Sequence, residues 1–176
     1  GLLFTAGPAG AQHAANPETI EIGLSTDHVV ITAGFSGADL TIFGAIDNAD
    51  PLVSRQGRYD VVVVLEGPMR PEVVRRKGRV LGVWLNLDSV TFKNVPISYS
   101  IATTRQFQDI TEPQNYQRLA LGAGNFYLEP DDPLESKASV EEFAKALRTL
   151  KASTGLYSET VGGVQFLSQN LFRATL

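Results

Sequence analysis

Five cations fall within ten residues of this sequence. Arg70-Pro71-Glu72-Val73-Val74-Arg75-Arg76-Lys77-Gly78-Arg79 sets Arg70, Arg75, Arg76, Lys77 and Arg79 against the single carboxylate of Glu72. Guanidinium forks match planar oxyanions, so such a stretch can hold an anion, a lipid headgroup or an acidic partner. It would serve equally as a solvated hairpin tip, where charge discourages edge-to-edge pairing. These five residues are the strongest binding candidates in the chain. A second stretch, Glu129-Pro130-Asp131-Asp132-Pro133-Leu134-Glu135, offers four carboxylates in seven residues. Calcium takes roughly six to eight oxygen ligands. The D-x-D-x-D-G spacing of a calcium loop is missing, however, and the two prolines mark a stiff surface connector. Asp47-Asn48-Ala49-Asp50 reads more simply as a turn between strands.

Residues suited to catalysis do not assemble into a constellation. Asp27-His28 could open an acid/base pair, but a lone histidine entering a strand after a turn is usually structural. Gly34-Phe35-Ser36-Gly37 misses the second glycine of a nucleophile elbow by one position. Gly122-Ala123-Gly124 follows a helix rather than a strand, so it is not a phosphate loop. The chain has no cysteine, which excludes disulfides, thiolate metal sites and a cysteine nucleophile. His13 and His28 are its only histidines, and His13 lies in what reads as a leader. Neither a transition metal nor another cofactor is expected. Fifteen basic and nineteen acidic residues leave a net charge of −4. That mild acidity argues against nucleic acid as a partner, since phosphate binding normally needs a positive domain.

The elements that would carry these residues are mostly strands. Thr19 to Leu24, Val29 to Thr32 and Leu40 to Ile46 alternate with period two, separated by turn residues. Val61-Val62-Val63-Val64-Leu65, within Arg58 to Glu66, lacks alternation and suits a strand buried on both faces. Val73 to Lys77 and Val80 to Asn86 flank Gly78 as a hairpin, with Trp84 as a core anchor. Val90 to Phe92 and Ile97 to Thr103 follow. The spacing predicts a mainly β protein with a small helical part. Its first region would be an immunoglobulin-like antiparallel sandwich over residues 17–104. Residues 105–176 would form a helical connector and an incomplete second β region. One helix opens at Thr111-Glu112-Pro113-Gln114 and stops at Gly122. Another opens at the capping box Ser139-Val140-Glu141-Glu142 and buries Val140, Phe143, Ala144, Leu147 and Leu150 before Gly155.

The two ends carry a compartment signal. Pro8 followed by Ala9-Gly10-Ala11 has the small residues at −3 and −1 that signal peptidase accepts. Residues 1–16 are therefore read as a signal-peptide remnant and linker, and mature protein would begin near Gln12. Leu171 to Leu176 reads as an apolar strand at the chain's end, which predicts a fragment. No run of about 18 apolar residues occurs to span a membrane.

Three blocks resemble one family. They are Gly23-Leu24-Ser25-Thr26-Asp27 with Val30-Ile31-Thr32 and Phe43-Gly44-Ala45-Ile46; Gly67-Pro68 through Arg75-Arg76-Lys77 with Val80, Gly82 and Trp84; and Gly155-Leu156-Tyr157 with Gly162-Gly163-Val164 and Leu171-Phe172-Arg173. Together, over roughly residues 18–176, they resemble an alphaproteobacterial family of uncharacterised transmembrane proteins. The resemblance implies a signal peptide, an envelope-side β-rich region on the periplasmic side of the inner membrane, and a C-terminal membrane helix that this chain does not include. It also implies a gene often placed beside a sulfite-exporter-type permease, a possible membrane partner. It carries over no catalytic residue. The expected function is a non-enzymatic binding or accessory protein for a membrane partner. The alternatives are a small-anion or carbohydrate binding module on the basic hairpin, and a hydrolase whose carboxylate pair the sequence does not identify.

Overall fold

Alternating apolar residues need a neighbouring strand and a covered face, and this chain finds both by pairing segments far apart in sequence. The computed structural model describes residues 17–24, 40–57 and 59–176. Ala9-Gly10-Ala11, both histidines, Asp27, the expected strand Val29 to Thr32 and the Gly34–Gly37 segment lie outside the described residues. The described elements are β1 (Thr19–Leu24), β2 (Thr41–Asp47), α1 (Pro51–Arg55), β3 (Val62–Glu66), β4 (Met69–Val80), β5 (Val83–Pro96) and β6 (Tyr99–Thr103), then α2 (Phe107–Ile110), α3 (Pro113–Arg118), α4 (Lys137–Ser153), β7 (Tyr157–Val161), β8 (Val164–Phe166) and β9 (Leu171–Thr175).

The protein is mainly β with a smaller helical part. Three sheets hold the described strands, in the orders β1-β2-β9-β8, β3-β6-β7 and β4-β5. Pairing is antiparallel except between β6 and β7, which run parallel. Because β2 pairs with β9 and β6 with β7, sequence on both sides of residue 104 shares two of the three sheets.

The buried residues form three clusters, the first shared between two of the sheets. Ile42, Ile46, Val164, Phe172 and Ala174 pack in the first, together with Val61 and Ala102. Here Phe172 stands opposite Gly44 in the ladder, and a Cβ on Gly44 would lie 2.2 Å from its ring. The glycine is there for close approach. Tyr99, Ile101 and Tyr157 form a second cluster. In the third, Val90, Phe92 and Val95 of β5 pack on Phe143, Ala144 and Leu147 of α4, with Leu128 beside them.

Local chemistry moves several boundaries from those expected. Ser136, not Ser139, caps α4: its Oγ accepts from the Ser139 amide at 3.1 Å, and the helix runs to a Gly155 at φ +76. Leu150, expected in the buried stripe, is exposed. Thr111 does not cap α3; Glu112 takes that position before Pro113, and Thr111 Oγ1 accepts from Asn115 Nδ2 at 2.6 Å. The 47–50 turn leads into the short helix α1, capped by Asp50 Oδ1 accepting from the amides of Leu52 (2.8 Å) and Val53 (3.3 Å). Val61 is buried, but Val62 to Val64 are only half-buried and Leu65 is exposed, since β3 is an edge strand. Trp84 is not a core anchor: it is 67% exposed. The hairpin turns at Leu81-Gly82 instead of Gly78, because the β4–β5 ladder continues past Gly78 to Val80 and Val83.

The acidic stretch is a strap along β5. The Lys93 amide donates to the Glu129 carbonyl at 2.9 Å and the Asp131 amide to the Thr91 carbonyl at 2.8 Å. Lys93 Nζ then lies 3.6 Å from Glu129 and 3.9 Å from Asp131.

Candidate functional site

Five cations on one hairpin are positioned by how that hairpin is held. At its base β4 and β5 are clamped to α4. Lys151 Nζ donates to Glu72 Oε1 at 2.5 Å, and Arg76 pairs with Glu142 at 2.6 Å with its guanidinium 5.3 Å above the Phe143 ring. Val74, Val90 and Phe92 face the same helix. Just beyond Arg76 the ladder shifts register at a β-bulge, and cover ends there. From Lys77 to Leu87 every residue except Gly78 is exposed. At about 3.3 Å per residue this free arm reaches about 15 Å past the bulge.

Strand alternation sorts the arm into two faces. On one, Arg75, Lys77 and Arg79 line β4 opposite Ser89, Asn86 and Trp84 respectively. On the other, Val80 stands opposite Val83 and Gly78 opposite Leu85. Leu87 lies over Gly78, where a Cβ would come within 2.0 Å of its methyl carbon. The tip residues Leu81 (φ 49) and Gly82 (φ 86) both have positive φ, as a two-residue hairpin matched to strand twist requires. Leu81 is fully exposed.

The arm therefore carries a cationic face edged by tryptophan, an aliphatic face and an apolar tip. Its charge is segregated: between Arg75 and Ser89 four cations face only Asp88. Arg76 is committed to Glu142, while Arg75, Lys77 and Arg79 have no salt-bridge partner among the described residues. Arg79 Nε donates to the Gly82 carbonyl at 3.4 Å. All five predicted residues are exposed, but they do not converge. Nine residues of extended chain, about 30 Å, separate Arg70 at the base from Arg79 near the tip. Arg75, Lys77 and Arg79 share a face; Arg76 faces the helix.

The sequence reading missed the apolar half of this surface. Val80, Leu81, Val83, Trp84, Leu85 and Leu87 are all exposed. The available signal was that Val80 to Leu87 is apolar at both alternating sets of positions and directly adjoins a basic run.

Other concave regions are less convergent. A cavity of about 360 Å³ beside α2 and α3 is lined by Phe107, Tyr116, Leu121, Asn125 and Glu159, among others. Its polar groups largely serve the local fold: Tyr116 Oη donates to the Phe107 carbonyl at 2.8 Å and Asn125 Nδ2 to that of Leu121 at 2.5 Å. Tyr157 and Arg148 are similarly structural. Burial pushes the Tyr157 hydroxyl up to about 12 while it donates to the Pro96 carbonyl at 3.0 Å. Burial also lowers the Arg148 guanidinium, which donates to the Phe126 carbonyl at 2.6 Å. Among the described residues no group of three His, Cys, Asp or Glu is placed to hold a metal ion, and no helix is long and apolar enough to cross a membrane.

Neither the curated proteins nor the solved structures contain a match to the chain. Residues 19–176, which include the arm and all three sheets, match the model of the family described as "Putative transmembrane protein (Alph_Pro_TM)", and the chain belongs to that family.

Proposed function

We propose that this chain is the envelope-side, β-rich part of a membrane-associated protein that acts as a non-enzymatic accessory element, and that the β4–β5 arm is how it engages its target at the membrane. One observation carries the reading. An arm clamped at its base presents six exposed large apolar side chains beside three cations that have no salt-bridge partner among the described residues. Soluble surfaces rarely leave such contiguous apolar area without a use. Family membership supports association with a membrane. A body on the periplasmic face of the inner membrane, beside a permease of the sulfite-exporter type, is the setting that the sequence resemblance favours.

The test shortens the arm. Replacing residues 77–87 with an Asn-Gly turn removes the uncovered part and keeps the clamps of Glu72 and Arg76. The parent chain should sediment with native inner-membrane vesicles and the shortened chain should stay in solution. Equal sedimentation would overturn the reading. A second reading, capture of a small oxyanion, is favoured by Arg75, Lys77 and Arg79 sharing one face. It predicts that sulfate titration perturbs the amides of β4 in the parent chain and not in a variant with all three cations replaced by Ser.

A further inference from the structure

The arm's chemistry narrows its target, on the reading that the arm engages something at the membrane. We propose that the β4–β5 tip docks directly into the interfacial layer of an anionic lipid bilayer. Leu81, Val80, Val83 and Leu85 enter the headgroup–acyl boundary, Trp84 sits at headgroup depth, and Arg75, Lys77 and Arg79 lie against lipid phosphates.

Three observations converge on lipid rather than on a protein groove. First, apolar side chains occur on both faces of a two-stranded ribbon and at its turn, with Leu81, Val83, Trp84 and Leu87 all more than half exposed. A groove would cover one face, whereas a bilayer surrounds an inserted tip. Second, Leu81 occupies a left-handed position, φ 49, where Asn, Asp or Gly is the favoured residue and a leucine is strained. The leucine touches none of the three core clusters, so its apolarity serves something outside the fold. Third, charge is distributed against the chain's own balance. The whole chain is at −4, yet the arm is cationic. Basic residues beside an apolar segment are what an anionic lipid surface attracts.

Depth is consistent with these placements. Trp84 stands opposite Arg79, one ladder step behind the Val80–Val83 pair and two behind the turn. Tip insertion of about 5–10 Å therefore puts the indole and guanidinium among headgroups, where both are favoured. Deeper entry is opposed by the outer edges of the arm's two strands, which pair with no other strand among the described residues and whose amides and carbonyls must keep water or headgroup partners.

Trp84 is the only tryptophan, so it reports the event itself. With vesicles of phosphatidylcholine containing one third phosphatidylglycerol, its emission should shift to the blue. Bromines near the headgroups should quench it more than bromines at mid-chain. Leu81→Asp should lower the partition coefficient at least tenfold, measured by co-sedimentation, without lowering the melting temperature. Replacing Arg75, Lys77 and Arg79 together with Ser should lower it by about a hundredfold, since each basic residue near such a surface contributes about a fivefold factor. No emission shift, equal binding to pure phosphatidylcholine, or equal binding by Leu81→Asp would overturn the proposal. A blue shift that grows with protein concentration and needs no lipid would also overturn it, pointing to a second copy of the chain. If anionic vesicles fail while native membranes still bind in an arm-dependent way, only the lipid proposal falls. If native membranes are indifferent to the arm, the accessory reading falls as well.

Discussion

Lys151 is buried, with its ammonium 2.5 Å from the Glu72 carboxylate, 3.4 Å from the Ile97 carbonyl and 5.9 Å above the Tyr157 ring. Glu72 is partly open to water, so the two partners are not equivalent. Glu72→Ala leaves a buried ammonium short of its main acceptor and should cost about 2 kcal/mol. Lys151→Met, which removes the buried charge and keeps the stem, should cost about 1 kcal/mol or less. Urea unfolding of the two variants checks this, and equal costs would contradict it. Asp60 has a different environment. Hydrogen bonds from Arg105 chiefly, and from Thr104 Oγ1 at 2.9 Å, hold its carboxyl below the ordinary aspartate range. A depressed folded value adds stability above the unfolded value of about 3.9, and that stability is lost as pH falls through the folded value. Asp60→Asn should therefore melt a few degrees below the parent chain at neutral pH, and the gap should close in acid. A gap that persists at the acid end would show that the loss is steric.

An element can be held firmly at one end and left unsupported at the other, and β4–β5 is built that way. Its base is packed on α4 and strapped by the segment around Pro130, which bridges to Phe92. Its outer part adds no residue to any cluster beyond Val74 and Val90. The strained turn should therefore be improvable without touching the core. Leu81→Asn places a residue that tolerates positive φ at the tip and should raise stability by about 0.5–1 kcal/mol. It should also weaken vesicle binding, since the apolar tip is lost. A stabilised variant that binds as before would remove Leu81 from the interface. A stability cost would mean that the leucine packs within the arm.

At the scale of the whole molecule, β9 enters the first sheet between β2 and β8, and β7 lies alongside β6. Residues 17–104 alone would lack Val164, Phe172 and Ala174 from the first cluster, Tyr157 from the second and all of α4 from the third. Expressed alone, that segment should show no cooperative thermal transition, whereas the whole chain should melt in one step by circular dichroism. A sharp transition in the short segment would show that it carries a sufficient core. The same pairings divide what was legible from what was not. Period-two alternation announced β1 and β2, apolar β-forming runs announced β6 and parts of β4 and β5, and Gly155 and Phe143 to Leu147 announced α4, because these are properties of neighbours in the chain. The basic stretch was legible for the same reason: charge density needs no fold to be counted. Which apolar face is covered is not a local property. Trp84 and Phe92 both sit in one apolar, β-forming strand, yet Phe92 is 0% exposed beneath α4 and Trp84 is 67% exposed beyond the reach of α4. Alternation told which side chains share a face, but only the helix returning from about 50 residues downstream decided where the core ends and the arm begins.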